Sequence, residues 1–191
     1  MKGAIDTGRL RPNTGRTNQK LFFARLQLER MSQTLAEQAT FYCEAEAQSC
    51  REAAILHLHG AYVAFLQELV RFYKLPNPVQ TSEALRQAMA ARGQIAPEIS
   101  RLQQLEQTPS SWLAQLLRAH TACLIAPDPV EIAPSNNDAD DADEKISAAG
   151  RIGMVAAPQD ELLAADVALL QSWLRELTDL IREFRREREE F

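Results

Sequence analysis

The chain has 191 residues, 46 % of them hydrophobic, with a formal charge of −5 and a pI of about 5.3. That length buries a core without covalent staples, and the acidic balance excludes general affinity for nucleic acid, which needs a positive surface against phosphate. Cys43, Cys50 and Cys123 contain no close pair, which excludes a disulfide framework and a cysteine zinc site and leaves buried free thiols in a reducing compartment as the expectation.

Residues 1–16 carry Lys2, Arg9, Arg11 and Arg16 against Asp6, with Gly and Pro punctuation and no apolar period. They read as a flexible basic arm and a solvated terminus. No apolar stretch follows the basic residues, so a signal peptide is not expected. No window approaches ~18 continuous apolar residues, so no membrane span is expected either, and the predicted location is cytoplasmic.

The first helix is expected from Thr17 or Asn18, both good N-caps. Leu21, Ala24, Leu28, Met31 and Leu35 form one bundle stripe. Phe22, Phe23 and Leu26 widen it, which predicts neighbours on more than one side. The second helix is predicted from about Phe41 to Tyr73 and is apolar nearly all round from Ala53 onward, the pattern of a central helix. Gly60 inside it costs ~1 kcal/mol against alanine, which predicts close approach of another helix. Leu75-Pro76-Asn77-Pro78 ends the element.

Three short helices should follow. One opens at Thr81 and ends at Gly93, and one has Pro97 in its first turn. The third is opened by Thr108-Pro109 and carries Trp112, Leu116, Ala119 and Cys123 on one stripe. Residues 127–157 combine three prolines with the acidic run SNNDADDADEK and read as a disordered linker. In the last element Leu163, Val167, Leu170, Leu174, Leu177, Ile181 and Phe184 repeat at helical spacing, with Leu162, Leu169, Trp173 and Leu180 as a second stripe. A helix of ~30 residues spans ~45 Å and must lie in a groove of the bundle or pair with its own copy. The prediction is an all-α helical bundle of three long helices plus short connecting ones. Its divisions are an arm (1–16), a bundle domain (17–126), a linker (127–157) and a long C-terminal amphipathic helix packing on the bundle (158–191).

Chemical motifs are sparse. No phosphate loop, nucleophile elbow, HExxH or dinucleotide fingerprint occurs. His57 and His59 diverge by ~200° on a helix, and no Glu-x-x-His of the di-iron type is present. No metal and no cofactor is therefore expected. The histidines, His120 included, are expected to hydrogen-bond inside the core, and Trp112 and Trp173 to anchor it.

One constellation stands out: Arg51-Glu52-Ala53-Ala54-Ile55-Leu56-His57. An arginine followed by a histidine on a bundle helix resembles the active motif of HEPN-type ribonucleases. That resemblance implies metal-independent RNA cleavage across a dimer, with His57 as acid or base and Arg51 stabilising phosphorane charge. Glu52 departs from the small polar residue the pattern prefers, and on a straight helix Arg51 and His57 lie ~120° apart.

A wider likeness joins Thr17-Asn18-Gln19-Lys20-Leu21-Phe22-Phe23-Ala24, Arg51 through Ala61 and Ser111-Trp112-Leu113. It resembles a small gammaproteobacterial family of helical proteins of unknown function. It implies a bacterial cytoplasmic bundle and no activity. It singles out Asn18, Lys20, Arg51, Glu52 and His57 as a candidate polar network fixing helix packing. The leading functional reading is a non-catalytic protein–protein interaction module, homodimeric or bound to another protein, with neither membrane nor nucleic acid as partner. The alternative is the HEPN-like ribonuclease using Arg51 and His57. A small-ligand carrier with a pocket between helices is the third.

Overall fold

A computed structural model describes residues 15–37, 43–94, 96–125 and 159–189, the side chains of the last segment from 165 to 188. The expected arm (apart from residues 15 and 16) and the acidic linker lie outside the described residues. Within them the chain is all-α: α1 (Gly15–Glu37), α2 (Cys43–Phe72), α3 (Ser82–Ala90), α4 (Pro97–Gln107), α5 (Trp112–Leu124) and α6 (Gln159–Glu189).

The apolar pattern of α2 dictates its place. Ala54, Ile55, Leu58, Ala61, Tyr62, Phe65, Leu66 and Leu69 are all buried, and α2 packs on α1, α3, α5 and α6. By length and composition α2 is apolar enough to cross a bilayer, and 56 % of that apolar stretch is buried inside the bundle. Each large side chain so buried contributes roughly 1.5–3 kcal/mol. Its most extensive contact is with α1, through Ala24 and Leu28. A smaller cluster of Met31, Ala47 and Cys50 closes the other end of that pair. The three cysteines are free thiols.

From Leu170 onward both stripes of α6 are buried on α1, α2 and α5: Leu170, Trp173, Leu174, Leu177, Leu180, Ile181 and Phe184. From Leu170 to Phe184 this helix lies in a groove of its own bundle. Among the described stripe positions Leu169 is exposed.

The short helices cover the remaining side of α2 with Leu85, Met89, Ile99, Leu102, Leu113 and Leu116. The hydroxyls of Tyr62 and Ser82 both donate to the Glu106 carboxylate and tie α2, α3 and α4 together. Burial first, and the Glu106 charge second, push the Tyr62 phenol up.

Several boundaries differ from the sequence reading. α1 begins at Gly15, and Thr17 is fully buried because its hydroxyl donates to Glu68 rather than capping. Thr81 does cap α3, accepting from Ala84 N at 3.2 Å. Gly93 adopts φ 66° while Ala91 is the cap residue. Thr108 ends α4 through its N–H to Gln104 O, and the cap of α5 is Ser111, accepting from Ala114 N at 3.0 Å. Pro109 therefore sits in the turn between two helices and does not open the second.

Candidate functional site

The five polar residues singled out by sequence do not form one network. They belong to separate contacts because ~100° per residue aims neighbours on α2 at different helices. Arg51 faces α6, its Nε donating to Asp166 Oδ2 at 2.5 Å. Glu52, next along, accepts from Gln48 at 2.9 Å on an exposed surface. His57 faces α1, where Lys20 Nζ lies 3.4 Å from its Nδ1 and the Phe23 ring 5.3 Å from its own. Burial, then the charges of Lys20 and Arg16, hold the His57 imidazole below its usual range. Arg51 and His57 are thus committed to opposite neighbours, and the structure does not bring them into one cleft.

Asn18 belongs to a site that the sequence did not expose. Arg185 of α6 grips Glu68 of α2 through Nε at 3.1 Å and a terminal nitrogen at 2.8 Å. Its other terminal nitrogen donates to Asn18 Oδ1 at 3.0 Å, and the Thr17 hydroxyl donates to the same carboxylate. Glu68 is 8 % exposed. A buried carboxylate holding a bidentate guanidinium and a hydroxyl is satisfied on both oxygens. The joint locks α1, α2 and α6 in register. Glu68 and Arg185 are 117 residues apart, so no local pattern signals the pair.

Gly60 faces α1. The atoms nearest a Cβ there would be those of the Lys20 stem, with Cδ and Cε each at 3.4 Å. The predicted close helix approach is made through a lysine side chain lying along the helix surface and carrying its ammonium to His57.

The histidines also depart from expectation. No hydrogen bond to His59 or His120 is present among the described residues; their rings stack on each other, centroids 3.5 Å apart and 13° from parallel. Burial and the partner ring hold His59 down to about 4, and burial lowers His120. Trp173 is buried and Trp112 packs against the core, half-buried. No group of three or more His, Cys, Asp or Glu residues suited to a metal ion occurs among the described residues.

Two open surfaces among the described residues bear on function. On the outer side of α1, Phe22 is 53 % and Leu26 42 % exposed. The neighbours that these residues predicted for a second face of α1 are absent among the described residues. At the end of the bundle where α2, α4 and α6 meet, a cavity of about 480 Å³ is lined by Phe72, Tyr73, Pro97, Glu98, Glu187 and Arg188.

A family model of unknown function, DUF6586, matches residues 12–191. The chain belongs to this family. The match supports the expected family of unknown function and carries no link to HEPN-type ribonucleases. No curated protein and no solved structure matches the chain.

Proposed function

We propose that the chain is a cytoplasmic, non-catalytic protein-recognition module, using the outer face of α1 as one contact surface. The observation that carries this reading is the exposure of Phe22 and Leu26 at i, i+4 spacing on a helix whose opposite stripe, Ala24, Leu28 and Met31, is fully used by the core. Two large apolar side chains side by side on a helix are suited to a partner groove read by helical anchors. The polar residues that an enzyme would need at one point are instead divided among helix joints: Arg51 on Asp166 and Asn18 on Arg185.

The partner is a second copy or another protein. Sedimentation velocity separates these. A homodimer gives a concentration-dependent shift that Phe22→Glu with Leu26→Glu abolishes while the helical circular dichroism stays the same. A monomeric wild type directs the search to other proteins, by photo-crosslinking from position 22 in cells. A monomer that yields no crosslink from that position would sink the reading.

A further inference from the structure

The end cavity is a half-open hollow lined by aromatic rings and one guanidinium. Its volume, about 480 Å³, lies within the range of small-molecule and cofactor pockets. Phe72 and Tyr73 form an edge-to-face pair, centroids 5.0 Å apart at 82°, and Pro97 completes an apolar wall. One oriented polar group stands against that wall. The Arg188 guanidinium lies over Phe65 at 5.7 Å and over Phe72 at 5.2 Å. Its Nε donates to Phe184 O at 3.0 Å, one turn back on the same helix. The rings and that bond fix the plane of the group.

Its remaining N–H groups have no acceptor among the described residues. Arg188 makes no ion pair there either, although Arg185, one turn earlier, is gripped by Glu68. These nitrogens are not among the side-chain atoms sealed from solvent. A half-buried guanidinium with open, pre-oriented donors is a site for an acceptor atom. Burial, the largest influence on it, disfavours its charge.

The wall chooses between acceptors. Glu98 accepts from the Tyr73 hydroxyl at 2.8 Å through Oε1, while its Oε2 is sealed from solvent with no donor among the described residues. Glu187 stands on the same rim. A second carboxylate entering here meets two others, one already short of a donor, and like charges in a half-desolvated site repel. A neutral carbonyl meets only the arginine.

We propose that this cavity binds a neutral, apolar acyl-amide group, as presented by an extended apolar peptide segment. Its carbonyl accepts from Arg188, and its apolar side chain lies on Phe72, Tyr73 and Pro97. The assignment of the source to a peptide rests on the protein-recognition reading. Binding of the amide group itself is tested apart from the α1 face.

The probes are N-acetyl-L-phenylalaninamide and its acid analogue, N-acetyl-L-phenylalanine. Titrations are followed by the ring resonances of Tyr73 and Phe72 in NMR spectra of the full chain. The amide is expected to give saturable shifts and the acid weaker ones. Arg188→Met should weaken the amide about tenfold, the scale of one hydrogen bond to a charged group. Phe72→Ala, at a half-exposed ring, gives a second reading if the arginine variant folds poorly, and Lys20→Met, on another face, should bind like wild type. An N-acetylated, C-terminally amidated tripeptide, Ala-Phe-Ala, that binds more tightly than the single amide assigns the source to peptide. A tripeptide no tighter assigns it to a small molecule and overturns the peptide. Absence of saturable shifts, equal binding in Arg188→Met, or tighter binding of the acid each overturns the site. None of these outcomes depends on whether Phe22→Glu alters association.

Discussion

Arg185 and Arg188 stand three residues apart near the end of α6, yet their surroundings are opposite. Arg185 meets a buried carboxylate, with an asparagine and a threonine completing the hydrogen bonds. Arg188 meets two aromatic rings and its own backbone, with no carboxylate paired to it among the described residues. The first is a closed joint in which all three guanidinium nitrogens donate inside the molecule. The second has donors that meet no acceptor among the described residues. A guanidinium is therefore structural or available according to what the neighbouring helix supplies, not according to its own helix.

Breaking the closed joint should have the largest effect. Arg185→Met leaves the Glu68 carboxylate buried and unpaired, and urea denaturation should show a loss of roughly 3–5 kcal/mol. Arg188→Met is the counterpart and should cost less than Arg185→Met, since it removes partly exposed cation–π contacts and one hydrogen bond to a helix carbonyl and leaves no buried carboxylate unpaired. Equal losses in the two variants would erase the distinction between joint and site.

The stacked histidines sharpen it from another side, as a contact with no hydrogen-bond partner on either ring among the described residues. His59 is held down to about 4, below the unfolded value of about 6.5. The unfolded chain then binds more protons between these values, so this contribution to stability is full above pH ~6.5 and is lost as pH falls toward 4. Denaturation midpoints measured across that window should decline, and His59→Phe should flatten the decline. A wild-type midpoint constant from pH 7 to 4 would contradict it.

Gly60→Ala should raise stability by up to about 1 kcal/mol, because the atoms nearest the added methyl are those of the movable Lys20 stem. Thermal unfolding reads the sign, and a loss would mean that the lysine stem cannot yield. The Arg51–Asp166 pair should matter least. Its side chains are 29 % and 28 % exposed, and exposed pairs contribute about 0–1 kcal/mol. Asp166→Ala measured in the same urea titrations should fall in that range, and a cost near that of Arg185→Met would place this pair with the closed joint.

The helices were legible from spacing. The stripes of α6 name the residues that it buries from Leu170 onward, since a period of 3.6 puts a fixed face toward the core, and the all-round apolar content of α2 marks it as central. Their ends were less so: Thr108-Pro109 carries the same letters whether it closes one helix or opens another, and Ser111 does the capping. The candidate site was legible only as residue types. Asn18, Lys20, Arg51, Glu52 and His57 are close in the sequence of two helices, but they point to different partners.

Sequence by itself thus determined that the chain is all-α, which residues enter its core and that α2 is central. These follow from local periodicity and apolar content. Tertiary structure decided what each polar side chain is for. Glu68 finds Arg185 across 117 residues, Gly60 receives the lysine stem of α1, and Arg188 arrives over Phe72 with donors that meet no acceptor among the described residues. Hydrogen bonds and ion pairs reach only a few ångströms in chosen directions, so their partners are set by how helices dock.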